Sequence, residues 1–221
     1  FTGTGDWSDP ARWSAGVPGD GDDAVVAGTA TNTGSTAFLD AYTLNAGAIH
    51  VFTGTNTFLY ATNVVVSGTL THAPNTATAS IDGVWYPDNR LQIVAASNVT
   101  VAAGGKIDAD GKGYRCRLKA NGYGPGGTNT YYDGNLYGGG SGHGGRGGPC
   151  WPQSEAGPGG PVYGSVDAPV DPGSGGAHST SKFGGGAVRI VAGGAVTVNG
   201  AISANGVTRV SEHGASGASG G

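Results

Sequence analysis

The chain is expected to be all-β, a parallel β-solenoid (β-helix) with a long glycine-rich excursion. Three observations lead there. Short apolar runs, most of them rich in β-branched residues, recur at 24–27, 38–44, 48–52, 58–60, 64–66, 91–95 and 99–102. None holds a 3.6-residue period long enough for a helix. A stretch of the chain repeats itself, and glycine is present at 46 of 221 positions, against a usual share of about 7%.

The repeat chooses between the two architectures that short strands allow, an antiparallel sandwich or barrel and a parallel solenoid. Residues 91–111 read LQIVAASNVTVAAGGKIDADG, and residues 188–206 read VRIVAGGAVTVNGAISANG. Ile93 aligns with Ile190, and Val99-Thr100-Val101 aligns with Val196-Thr197-Val198. After a two-residue deletion, Ile107-Asp108-Ala109-Asp110-Gly111 aligns with Ile202-Ser203-Ala204-Asn205-Gly206. Weaker echoes are NVVVSGTL at 63–70 and TLNAGAI at 43–49. A unit of roughly 20 residues suits one solenoid coil, and successive coils stack about 4.8 Å apart. The expected interior comprises Val25, Leu44, Ile49, Val51, Val65, Ile93, Val99, Val101, Ile190, Val196, Val198 and Ile202.

Along the chain, 1–19 is an aromatic, turn-rich opening, and 20–110 and 187–206 hold the coils. Residues 111–186 form a glycine-rich lobe and 207–221 a glycine-rich tail, the whole being read as one domain. Gly and Pro at the lobe's density deny it helix and ordinary sheet. A structureless loop of about 75 residues is unusual in a compact domain, so the lobe is expected to be ordered. Cys116 and Cys150, the two cysteines, both lie in it without CxxC spacing. A disulfide between them would close the excursion in an oxidising compartment; two thiols in a reducing one is the other reading.

Charge and hydropathy exclude some classes. The net charge is −4 and there are 11 Lys plus Arg in all, whereas nucleic-acid binding rests on clustered basic residues. No stretch reaches the roughly 20 apolar residues of a membrane-spanning helix. The chain starts at Phe1 in mid-pattern, as a mature or shortened chain would, so the missing signal peptide does not argue against secretion.

The opening GDWSDPARWSAGVPGDGDDAVV resembles the start of β-helical passenger regions of large secreted bacterial surface proteins, of autotransporter-passenger type. The later GKIDADGKGY, GPGG, GGGSGHGGRGG, GGGAVRI and VTVNGAISANG resemble a glycine-rich repeat of giant extracellular bacterial proteins. The resemblance implies a parallel β-helix, secretion, and a structural or adhesive role. It diagnoses architecture, not activity. The chain departs from the pattern by ending inside the second glycine-rich motif.

Several residue groups invite a chemical reading, and each has a structural alternative. Asp20, Asp22 and Asp23 sit in a Gly-containing turn that could hold Ca²⁺, but the full EF-hand spacing is missing and a solvated turn explains them. Asp108 and Asp110 stand at i and i+2, on one face of a strand, yet the aligned coil has Ser203 and Asn205, and turn formation before Gly accounts for them. His143, His178 and His213 sit among Gly and Ser; a three-His metal site would need them to converge, and the structural alternative is that ring nitrogens pin a loop to nearby carbonyls. Asn98 begins an Asn-Val-Thr glycosylation sequon. Trp7, Trp13, Trp85, Tyr86, Tyr131, Tyr132 and Trp151 could stack on sugars; the alternative is that Trp7 and Trp13 plug the first coil and Trp151 packs beside Cys150. No nucleophile elbow or phosphate loop is present, and the charges are too scattered for a polysaccharide lyase or hydrolase.

These readings favour a secreted structural protein, not an enzyme, without an obligatory cofactor. Phe1, Trp7 and Trp13 would lie at the head-to-tail junction, where Phe1 opens a strand-like piece that one copy can donate to the next. The alternatives are a glycan-binding or adhesive surface module and a β-helical polysaccharide-degrading enzyme.

Overall fold

The computed structural model describes residues 1–116, 122–128, 130–132, 136–149, 158–165, 167, 170–177, 182–207 and 218–221. The described residues are all-β. The helical element among them is one 3₁₀ turn, Pro10–Arg12, capped by the Asp9 side chain, which accepts from the Ala11 N–H. The chain, read above as one domain, divides into two compact units. The first comprises Phe1–Ala73, Asn89–Asp108 and Arg189–Ser203; the second comprises Pro74–Asp88, Ala109–Val188 and Ala204–Gly221.

In the first unit the chain passes back and forth between two parallel sheets. One sheet takes β1 (Thr4–Asp6), then the other takes β2 (Ala24–Val26). The alternation continues with β3 (Thr29–Asn32), β4 (Leu39–Leu44), β5 (Ile49–Phe52), β6 (Leu59–Val66) and β7 (Thr69–His72). Strands β8 (Leu91–Ala95) and β9 (Val99–Val101) follow in the second sheet, and β10 (Lys106–Asp108) in the first. In the second unit, β11 (Thr130–Tyr132) pairs antiparallel with β12 (Leu136–Gly138). Strands β13 (Val188–Ala192), β14 (Val196–Val198) and β15 (Ala201–Ser203) then complete the two parallel sheets. The first sheet runs β1-β3-β5-β7-β10-β15; the second runs β13-β8-β6-β4-β2, with β9 joining β6 to β14.

Register stacks like positions into columns. In the first sheet Ala30 pairs with His50, His50 with Leu70, Leu70 with Ile107 and Ile107 with Ile202. In the second, Val26 pairs with Leu44, Leu44 with Val66, Val66 with Val101 and Val101 with Val198. From Ala30 to Ile107 and from Val26 to Val101 these columns are fully buried. The neighbouring column, Val25-Thr43-Val65-Thr100, faces out, because side chains alternate across a strand.

That alternation corrects part of the expected interior. Leu44, Ile93, Val99 and Val101 are buried. Val25, Ile49 and Val65 point outward and are exposed, and Val51 and Ile190 are half-buried. The inward places beside Ile49 and Val51 belong to His50 and Phe52. A one-residue phase error sends every side chain to the other face, and a run such as Ile-His-Val-Phe carries apolar residues in both phases. Val196 and Val198 stand in inward columns yet are 47% and 46% exposed.

Glycine makes the bend before β10. A Cβ at Gly105 would overlap the Val66 carbonyl oxygen, while the Gly105 N–H donates to the Ala102 oxygen at 2.9 Å. Only a residue without a side chain lets the backbone approach so closely.

The described part of the second unit is built from extended glycine-rich segments joined by backbone hydrogen bonds. Gly142 N–H donates to Gly126, Gly160 to Gly140, Gly113 to Gly184 and Gly173 to Gly185, at 3.0, 2.9, 2.7 and 2.8 Å. The described lobe segments are thus joined to one another by backbone hydrogen bonds. Among the described residues no disulfide is found. Cys116 is buried and its Sγ accepts the Lys182 N–H at 3.1 Å; Cys150 lies outside the described residues.

Candidate functional site

Two features of the first unit stand out, a closed aromatic cluster and an open strand edge. The cluster is built by the opening segment. Trp7 is buried and lies parallel to His50, ring centroids 5.1 Å apart. Trp13 meets Trp7 edge-on at 4.7 Å and Phe1 at 5.3 Å, and its indole N–H donates to the Trp7 carbonyl at 2.8 Å. Phe1 runs along the outer edge of β2: its ammonium donates to Val25 O at 2.7 Å and its carbonyl accepts the Ala27 N–H at 2.9 Å. Phe1 is buried as well. Phe1, Trp7 and Trp13 therefore come together as a lid over the first strands.

His50, which the sequence reading passed over, sits beneath that lid. It is fully buried, its Nδ1 shares a 2.8 Å hydrogen bond with the Tyr42 hydroxyl, and Nε2 has no hydrogen-bond partner among the described residues. Desolvation lowers its pKa from 6.5 to about 3 and raises that of Tyr42 well above 10. The ring is neutral and serves the packing.

The open edge lies at β14 and β15. Each pairs on one side, with β9 and β10, and among the described residues no strand pairs the other side. Val196, Val198 and Ile202 are exposed there, as is Val191 in β13. The signal that could have found this edge is the repeat itself, because its second copy supplies β14 and β15.

The remaining candidates are engaged locally. The Asp20 carboxylate accepts the Phe38 N–H and that of Asp22 the Gly19 N–H, both at 2.8 Å, while Asp23 is exposed. Asp108 pairs with Lys106 at 2.9 Å. Asp110 accepts from the Asn205 backbone N–H at 2.6 Å and its side-chain amide at 3.1 Å. Among the described residues no group of three or more His, Cys, Asp or Glu is placed to hold a metal ion. The Asn98 amide oxygen accepts the Ala195 N–H at 2.9 Å and its nitrogen donates to Ser97 Oγ at 2.9 Å, so the sequon side chain ties β9 to the β14 turn. His143 packs its ring 4.7 Å from Tyr163. His178, His213 and Trp151 lie outside the described residues, as do the side chains of Tyr131 and Tyr132.

No helix among the described residues is long and apolar enough to cross a membrane. No family model, curated protein or solved structure matches the chain.

Proposed function

We propose that the first unit is a parallel β-solenoid and that the protein is a non-enzymatic structural segment of an extracellular fibre or surface layer. In this reading copies stack head to tail, and the β14–β15 edge receives the first strands of the next copy. The observation that carries it is the edge itself: strands β14 and β15, which no further strand joins among the described residues, with Val196, Val198 and Ile202 exposed there. Such an edge is a template for pairing with another chain. A contact between unlike ends that does not close propagates as a filament. The aromatic lid closes the interior at β1 and β2, which leaves strand pairing at the lid's margin as the contact on that side.

Sedimentation velocity at rising concentration, with negative-stain microscopy, tests this reading. Concentration-dependent filaments are expected, and Val198→Asp should abolish them while the monomer keeps its β spectrum. A chain that stays monomeric, or that stops at a discrete dimer, overturns it.

A further inference from the structure

The second unit carries a cleft that the stacking role does not use. It lies between residues 78–85 and 122–127, with a volume of about 490 Å³, within the range of about 300–1,000 Å³ common for small-ligand sites. Trp85, Tyr123 and Pro125 supply its apolar surface; Thr78 and Ser80 supply hydroxyl groups; the glycines between bring bare peptide groups to its wall. No charged side chain among the described residues lines it.

The ring at its centre is held in place. Trp85 stands edge-on against the buried Tyr114, centroids 5.4 Å apart, and 6.2 Å from Tyr123. The segment carrying Trp85 is a tied loop. Ile81 and Val84 exchange two backbone hydrogen bonds of 2.9 Å around Asp82 and Gly83, both with positive φ, the turn geometry that Asp-Gly favours. Asp88 accepts the Thr76 N–H and hydroxyl at 2.7 and 2.6 Å, closing the loop base. Asn75 donates its backbone N–H and side-chain amide to Lys112 O at 2.9 and 3.0 Å. Trp85 is half-exposed at the end of this support, with Tyr86 exposed beside it. A ring braced on one side and open to solvent on the other lowers the ordering cost of binding, the preorganisation that favours ligand sites.

We propose that this cleft binds a neutral saccharide, with one pyranose face on the Trp85 indole and its hydroxyls on Thr78, Ser80 and the peptide groups. Pyranoses with equatorial substituents present a flat C–H face and a rim of hydroxyls, which matches an aromatic surface bordered by neutral donors and acceptors. An anionic ligand would find no counter-charge among the described lining residues. A wholly apolar ligand would leave the hydroxyls and peptide groups unpaired. The inference is independent of head-to-tail stacking.

Titration calorimetry of the full chain with cellohexaose and with chitohexaose tests it. At least one should bind. Trp85→Ala should weaken that binding roughly tenfold or more, the effect of removing a stacking ring from beneath a planar ligand, and Trp85→Phe should restore part of it. Should Trp85→Ala perturb folding, Ala79→Trp fills the cleft from an exposed position and should also abolish binding, while Trp13→Phe leaves it unchanged. Failure of both sugars to bind, binding that survives Ala79→Trp, or preference for an uncharged apolar peptide over both sugars overturns the proposal.

Discussion

The imidazole of His50 and the indole of Trp7 lie face to face, centroids 5.1 Å apart and planes 3° from parallel. The stack, with Tyr42 and Phe52 around it, keeps His50 neutral in the folded chain down to about pH 3. In the unfolded chain His50 takes up its proton at about pH 6.5. Between those values the unfolded state binds more protons, so stability is complete above about pH 6.5 and falls as pH drops toward 3. By linkage the loss reaches roughly 3 kcal/mol at about pH 4 relative to neutrality. Denaturant unfolding across this window should show the decline, and His50→Phe should remove that part of it. The variant also leaves the Tyr42 hydroxyl without its partner, at about 1–3 kcal/mol at every pH. A wild-type-minus-variant difference that does not change with pH would exclude a buried neutral His50.

The repeat was legible as stacking register. The alignment of Val99-Thr100-Val101 with Val196-Thr197-Val198 is the observed pairing of β9 with β14, and Ile107-Asp108 with Ile202-Ser203 is that of β10 with β15. Identical side chains recur in both segments because each stacks on its counterpart. What was not legible was phase. Val25 and Val65 are as β-branched as the buried Val26, Val64 and Val66, and Ile49 is more apolar than the buried His50 beside it, so only the pairing shows which face is inner. Neither was His50 legible as core, since a polar residue gives no sign of the aromatic lid that accommodates it. The cleft at Trp85 is formed by segments about 40 residues apart in sequence, and its aromatics alone did not distinguish a site from packing.

Glycine-to-alanine exchanges should separate packed glycines from free ones. A Cβ at Gly147 would overlap the Gly140 carbonyl oxygen, whereas one at Gly144 meets nothing within 4 Å. Gly147→Ala should lower stability by about 2 kcal/mol or more, because a backbone segment must move, and Gly144→Ala should stay within about 0.5 kcal/mol. Thermal melts of both variants decide this. Equal tolerance would mean that the glycine segments are not interlocked.

Asp110 and Asn205 occupy the same place in the two copies of the repeat, and they are bonded to each other. Asp110→Ala should cost about 1–2 kcal/mol by leaving the Asn205 N–H without its acceptor. Asp110→Asn keeps an amide oxygen there and should retain most of the stability. Paired denaturation curves check it; an asparagine variant as weak as the alanine variant would show that the carboxylate charge is what matters.

The hydroxyl of Tyr163 sits at a hub of the glycine-rich unit. It donates to the Pro172 carbonyl at 2.6 Å and accepts from Ser174 Oγ at 2.9 Å. Ser174 Oγ in turn accepts the Gly126 N–H at 2.9 Å, and Ser141 donates to the Ser174 carbonyl at 3.0 Å. Desolvation pushes the phenol up to about 12, more than the hydrogen bond from Ser174 brings it down. The folded state therefore holds its proton where the unfolded chain, titrating near 10, has lost it. Stability from this group is complete below about pH 10 and declines as pH rises toward 12, by roughly 3 kcal/mol at most. Tyr163→Phe removes the donor to Pro172 and should cost about 1–3 kcal/mol at neutral pH, with a melt less sensitive to alkali than that of the wild type. Phenolate absorbance, read as the difference between wild type and Tyr163→Phe during a pH titration of the folded protein, should rise with a midpoint near 12. A midpoint near 10 would mean that the hydroxyl meets water, and that the hub does not hold the glycine segments together.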